Sequence, residues 1–407
     1  MPMRLLHVLI IPGDSYRFEL TQALGLKEHD VKVGFLSIEI LQPYKSIVKT
    51  CIKKPALLIR KLYERLRKSK KIITSCNING IDSVKAYGSK VKPHEVVNKQ
   101  KNIIDTALIG FGEYVKKFGK PNLIHAHSRF LISALIANQI GKKFNIPYVV
   151  TEHSSFYFRN LVANDDYRAI REVLNEATRW IAVSTKLGEY IKKKVDGINK
   201  DFIEIPNAVE KEFELAGIGQ RIISNTIKFL NIADLNKNKR HDLLIEAFDR
   251  GFNAKHGFHL LIGGVGPQKA CLEKAVKEKG LDAQVHFLGA LSRNEVVDRI
   301  NECDFFVVSS DFETFSVVTI EALALGKPVV STRCGGPEEI VNDKNGILVP
   351  KGDVEALAYG MYRIYKNCED YDPVMIRKEC LEKYSTDVVT AKLISLYNQV
   401  LTEQRTL

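Results

Sequence analysis

Short apolar runs of four to six residues alternate along the chain with segments whose apolar positions follow helical spacing. This is how βαβ units of a buried parallel sheet read, because a strand covered on both faces needs no polar positions. The first half carries LLHVLII, VKVGFLS, LIHAH, PYVVTEH and WIAVS, and the second restarts with IKFLNIAD, FHLLIGG, VHFLGA, DFFVVSS, KPVVST and GILVP. Between them, FIEIPNAVEKEF ends a short strand at Pro206-Asn207 with no long helix following. The pattern predicts an α/β protein of two Rossmann-like, doubly wound domains, residues 1–207 and 208–385. A terminal helix over residues 386–407 is expected to pack back toward the first domain. Two such sheets turn their carboxyl ends to a shared cleft, where ligands of doubly wound sheets bind.

A chain of 407 residues exceeds one ordinary core, in keeping with two domains. Its 45% hydrophobic and 27% charged residues suit a globular enzyme. The seven cysteines, at 51, 76, 271, 303, 334, 368 and 380, form no C-x-x-C pair. They argue against a disulfide framework or zinc cluster and for a reducing compartment. MPMRLLHVLIIPGDS reads as a first buried strand, not a signal peptide. No uninterrupted apolar stretch reaches about 18 residues, the length of a membrane span. The expected place is the cytoplasm, free or peripheral on the cytoplasmic membrane face.

The net charge of +12 is uneven: residues 1–205 hold 35 Lys and Arg against 19 Asp and Glu, a surplus of 16, leaving −4 for the rest. A basic half suggests an anionic partner, with a lysine-rich solvated surface as the alternative. Its densest part is residues 55–71. Leu58, Ile59, Leu62, Tyr63 and Leu66 share one arc at helical spacing, and Arg60, Lys61, Arg65, Arg67, Lys68 and Lys71 the other. Such a helix suits an anionic membrane surface, and it suits equally a surface helix packing its stripe on the sheet.

The chemistry concentrates in SSDFETFSVVTIEALALGKPVVSTRCGGPEEIV. A strand ends in a loop carrying Glu313, Ser316 is placed to cap a helix from Val317 to about Leu325, and Gly326 closes it. Glu321 lies inside that apolar helix, where a carboxylate must be hydrogen-bonded, by a ligand diol such as a ribose or by a buried arginine. The amides from Thr314 to Val317 form a place for a phosphate at the helix start.

E-T-F-S-V-V-T-I-E with ALALGKPVVSTRCGGPEEIV resembles the E-x7-E signature of the retaining family 4 glycosyltransferases, which have the GT-B fold. The likeness extends to the glycine-rich GP turn and FLG strand of LLIGGVGPQKACLEKAVKEKGLDAQVHFLGALSRNEVVDRINECDFFVVSS. It extends further to ADLNKNKRHDLLIEAF and to LIHAHSRFLISALIANQIGKKFNIPYVVTEHSS, the latter similar to the acceptor domain of surface-polysaccharide enzymes. Resemblance thus covers residues 121–350 in order.

It implies that Glu321 binds the nucleotide ribose, Glu313 the donor-sugar hydroxyls, and the amides of Phe315, Ser316 and Val317 the diphosphate or sugar. Lys239 matches the diphosphate lysine, and His153 a histidine lining the donor-sugar pocket. Gly264, Arg240 and Leu291 complete the donor set, while Gly13, Asp14 and Arg159 belong to the acceptor side. For Arg159 a plain salt bridge is the alternative. Three features depart from the family. Asp234 stands where an arginine is usual, leaving Arg240 or Lys237 to substitute; Val265 replaces an acidic residue; and the first loop, PGDSYRFE, is short with one glycine.

The implied reaction is substitution at an anomeric carbon with retention, by a front-face route in which the leaving diphosphate takes the acceptor proton. Lys239 and the helix-terminal amides stabilise the growing charge. No cofactor or metal is expected: His125 and His127 have a ligating spacing but no accompanying carboxylates or cysteines. The expected partners are a nucleotide sugar (UDP favoured over GDP) and a lipid-linked or oligosaccharide acceptor, with no nucleic acid. A nucleotide-sugar 2-epimerase and a non-catalytic nucleotide-sugar-binding partner are the rival readings.

Overall fold

The computed structural model describes residues 7–11, 17–41, 73–89, 96–128, 131–219, 226–253 and 255–406. Gly13, Asp14 and the basic stretch 55–71 lie outside the described residues. The first sheet contains β1 (His7–Ile11), β2 (Lys32–Leu41), β3 (Ile73–Ile78), β4 (Ile81–Ser89), β5 (Leu123–Ser128), β6 (Tyr148–Glu152), β7 (Arg179–Ala182) and β8 (Phe202–Glu204). Around it lie α1 (Arg17–Glu28), α2 (Val96–Phe118), α3 (Ile132–Phe144), α4 (Asn164–Glu176) and α5 (Thr185–Lys194). Its strands lie in the order β3-β4-β2-β1-β5-β6-β7-β8, all parallel except the β3–β4 hairpin.

That hairpin is absent from the strands read out of the sequence. Its segments, ITSCNI and IDSVKAYGS, are broken by polar residues, so no continuous apolar run marks them. The signal lies in the turn: Asn79 and Gly80 both take positive φ, 51° and 81°, as a tight two-residue hairpin demands.

A connection carrying the short α6 (Lys211–Leu215) leads to the second sheet, which comprises β9 (Ile227–Ile232), β10 (Phe258–Gly263), β11 (Val285–Gly289), β12 (Phe305–Val308), β13 (Val329–Thr332) and β14 (Gly346–Val349). Its helices are α7 (His241–Phe252), α8 (Lys269–Glu278), α9 (Arg293–Glu302), α10 (Val317–Ala324), α11 (Pro337–Ile340), α12 (Val354–Lys366) and α13 (Pro373–Tyr384). The wholly parallel order is β11-β10-β9-β12-β13-β14. The strand order therefore reverses between β9 and β12, and in the first sheet between β1 and β5; clefts open at the carboxyl ends of such points.

The last helix, α14 (Thr386–Thr406), crosses back to the first sheet. Its Val389, Leu393, Leu396, Tyr397 and Val400 are buried in one cluster with Ile10, Leu26, Val149 and Ile181. Another cluster joins side chains of both halves, from Trp180 and Phe213 to Phe306 and Phe315. Among the described residues no helix is long and apolar enough to cross a membrane.

Candidate active site

The loops after β9 and β12 straddle the switch point of the second sheet, and they are bonded to each other. Asp311 donates its amide to the carbonyl of Asn238 at 2.8 Å, and Asn238 Nδ2 donates to the Phe312 carbonyl at 3.0 Å. Ser309 Oγ donates to the Lys239 carbonyl at 2.8 Å. This zip sets Lys239 Nζ 2.6 Å from Glu313 Oε1, an oxygen that also accepts from Ser310 Oγ at 2.7 Å. Burial alone would lower the pKa of Lys239. The charge and hydrogen bond of Glu313 outweigh it, helped by Cys334 and Asp234, so the ammonium is held above its ordinary value. Asp234, where the family has arginine, thus adds negative charge near Lys239.

Glu313 is held by the loop after β13. Its amide donates to the Cys334 carbonyl at 2.7 Å, and its own carbonyl accepts from Gly336 N at 2.8 Å. A Cβ at Gly336 would overlap the backbone of Phe315, so only glycine lets the two loops approach this closely. The next residue bridges the two halves. Thr314 Oγ1 donates to the His153 carbonyl at 3.1 Å, and the Thr314 carbonyl accepts from Ser184 Oγ at 2.7 Å. His153, buried at the end of β6, is thereby brought beside the Glu313 loop. Its ring Nε2 lies 3.0 Å from His127 Nδ1.

Helix α10 begins at Val317 as expected, but Ser316 does not cap it. Its φ of 76° leaves its hydroxyl without a bond to the following amides, and Oγ meets Thr319 Oγ1 at 2.9 Å instead. Phe315 before it is buried, its ring edge-on to Tyr384 at 5.6 Å.

Glu321 is fully buried, and of the two partners considered for it the arginine is present. Arg293, at the start of α9, donates through one NH2 group to Glu321 Oε1 at 2.7 Å and through Nε to Glu210 Oε2 at 2.7 Å. Its guanidinium also lies over the Phe213 ring at 4.7 Å. The second acidic residue of the E-x7-E pair is therefore tied to the connection between the halves.

The remaining candidates lie at different distances from this centre. Gly264 has φ 134°, and a Cβ there would overlap the Ala233 carbonyl; its amide donates to Gly289 at 2.7 Å. Leu291 packs against Gly263 in the same wall. Arg240 adopts φ 50° and turns its guanidinium to Asp242 at 3.1 Å and Asp311 at 3.2 Å. Arg159 is exposed and makes no ion pair among the described residues. His125 is bonded to Tyr397 and Thr151, at 2.6 and 2.7 Å. Arg293, Glu210, Ser310 and His127 join the site without belonging to the E-x7-E motif or the matched lysine and histidine positions. Arg293, Glu210 and His127 act through partners that only the fold brings near, whereas Ser310 acts on Glu313, three positions along the same loop.

Two doubly wound sheets, with Lys239 and Glu313 at the second sheet's switch point and the loop of Glu313 bonded through Thr314 to His153 of the first half, define the GT-B class. Two family models match the chain: "Glycosyl transferases group 1" over residues 219–376 and "Glycosyltransferase Family 4" over residues 87–213. The chain belongs to the family 4 glycosyltransferases. It is 29% identical over 252 residues to an uncharacterised glycosyltransferase of Methanocaldococcus jannaschii, a match covering 57% of this chain and 64% of that one. The chain thus spans less than two thirds of that relative's length. Among solved structures, sucrose-phosphate synthase from Thermosynechococcus elongatus superposes with a TM-score of 0.75 at 17% identity, covering 98% of this chain and 100% of that one. The Anabaena protein HepE in complex with UDP superposes at 0.70 and 15% identity, covering 97% and 100%. At these identities the structural likeness concerns the fold.

Proposed function

We propose that the protein transfers a sugar, with retention, from a nucleotide sugar to a glycan or lipid-linked acceptor of surface polysaccharide or glycoconjugate synthesis. The observation that carries this reading is the Lys239–Glu313 pair, with the next residue, Thr314, bonded across the cleft to the backbone of His153. Bound UDP in HepE, a protein of the same fold, supports a UDP-sugar as donor. In the reaction the bond from the anomeric carbon to the diphosphate oxygen breaks, and a bond to the acceptor hydroxyl forms on the same face. The departing oxygen takes the acceptor proton. The protonated Lys239 and the amides of Phe315, Ser316 and Val317 stabilise negative charge growing on the diphosphate. Glu313 meets the sugar hydroxyls, Glu321 the ribose, and His153 lines the sugar pocket. Cations and amides supply this stabilisation without a metal ion, so EDTA is expected to leave turnover intact.

The basic stretch 55–71 supports an anionic membrane surface as the place where a lipid-linked acceptor is met. Salt-sensitive sedimentation with anionic vesicles tests that point alone. The reaction is tested by screening UDP-, GDP- and ADP-sugars for thermal stabilisation. The stabilising donor is then incubated with glycan and lipid-linked acceptors. Proton NMR of the product is expected to show the donor's anomeric configuration; the opposite anomer would exclude the front-face route. Conversion of the donor to its 2-epimer without acceptor would indicate the isomerase instead.

A further inference from the structure

His153 is held at its backbone from both sides: its amide donates to Ser128 at 2.9 Å, and its carbonyl accepts from Thr314. Its ring is held by something else. His127 and His153 come from neighbouring parallel strands, both side chains are buried, and their rings stack at 23° with Nδ1 of His127 3.0 Å from Nε2 of His153. Two imidazole nitrogens at that distance share one proton, so the protonation of one ring nitrogen dictates the other's. On the far side of His127 lies His125, with ring centroids 4.2 Å apart. His125 is fixed at both nitrogens, by Tyr397 of α14 and Thr151 of β6. Burial, followed by the nearness of His127, holds the pKa of His125 well below its ordinary value, so it packs as a neutral ring. A buried row thus runs from the terminal helix through His125 and His127 to His153.

We propose that His127 is a positioning residue that fixes the ring orientation and tautomer of His153, with His125 and Tyr397 as its backing. The catalytic consequence rests on the reading of His153 as a donor-pocket residue. A histidine in one tautomer offers either a donor or an acceptor at its other nitrogen, never a mixture, so the bond to His127 at Nε2 fixes the state of the buried Nδ1 and, with it, the setting of the ring in the pocket wall. Misplacing that ring costs turnover while leaving the nucleotide's own contacts, all on the second sheet, unchanged.

The test uses the full chain labelled with 15N-histidine. With ten histidines, long-range proton–nitrogen spectra can be assigned by single replacements. In the wild type, His153 is expected to show one protonated and one bare ring nitrogen. In His127→Phe these signals are expected to move to the averaged values of a ring exchanging tautomers. Turnover of the stabilising nucleotide sugar should fall about 10- to 100-fold, with unchanged affinity for its nucleoside diphosphate. His127→Asn, whose side-chain amide occupies the place of Nδ1, should restore both the single tautomer and most of the turnover. Should His127→Phe fail to fold, His127→Ser gives the same reading. Unchanged His153 signals in the Phe or Ser variant would overturn this inference alone, as would equal losses of turnover in the Phe and Asn variants. Wild-type turnover in His153→Ala would instead overturn the functional reading.

Discussion

Lys239 Nζ lies 2.6 Å from Glu313 Oε1, a cation and a carboxylate delivered by two loops that meet where the strand order of the second sheet reverses. In the proposed reaction the ammonium serves the departing diphosphate, so its worth is greatest in the transition state. Lys239→Ala is expected to lower kcat by roughly 100- to 1,000-fold, the usual scale for one lost electrostatic contact to a developing anion. Binding of the nucleoside alone should change little. Steady-state kinetics with calorimetry separates the two, and an undiminished kcat would assign the role to another cation.

Glu321 is fully buried against Arg293, which Glu210 also engages. Arg293→Ala would leave that carboxylate without its cation, at a cost of about 1–3 kcal/mol because Arg293 is itself partly exposed. Adding Glu321→Gln should recover much of this loss, since the neutral amide needs no cation. Urea unfolding of the wild type, both single variants and the double variant measures the coupling; additive losses would mean that the pair is not the relevant contact.

Glu152, adjoining His153 on β6, gives a dependence on pH. Burial pushes its pKa up to about 8, against the opposing hydrogen bonds of Ser128 and Tyr157. The folded protein then holds a proton that the unfolded chain has already released. Stability from this group is fully present below the ordinary glutamate value, declines as pH rises toward 8, and is level beyond. Glu152→Gln should flatten that decline, gaining on the wild type by on the order of a few kcal/mol at pH 8 while matching it near pH 4.5. Parallel denaturation curves for the two proteins across this range would contradict the assignment.

Which parts of this site could be read from residues alone follows from how they are encoded. The buried parallel strands announce themselves as apolar runs such as FFVV and GILV, and the motif residues Lys239, Glu313 and Glu321 carry fixed local spacing. Arg293 and Glu210 are 83 positions apart, and the bridge that Arg293 makes between Glu210 and Glu321 depends on how α6 and α9 pack, which no local pattern states. The β3–β4 hairpin was hidden by its polar strands, although Asn79-Gly80 marked its turn. Ser316 satisfied the composition of a cap, yet its backbone conformation places it in a sharp turn where no cap bond forms.

That turn makes a further prediction. Gly336 lies against the backbone of Phe315 and donates its amide to Glu313. Gly336→Ala must push the loop outward, moving Glu313 and the first amides of α10 together. Turnover is expected to fall about 100-fold, the scale of a displacement of about 1 Å at a reacting centre. The far-UV circular dichroism should keep its native shape. Full activity would show that the loop has room the packing does not suggest.

In the proposed reaction a nucleotide sugar bound on the second sheet is consumed across the cleft. This is tested most directly by release of nucleoside diphosphate from the stabilising donor with and without acceptor, in wild type and Glu313→Gln. The wild type is expected to release diphosphate only with acceptor, matched mole for mole by glycosylated product, and the variant to lose at least about tenfold. Donor binding by the wild type with no acceptor-dependent release, or equal release by the variant, would contradict the proposed reaction.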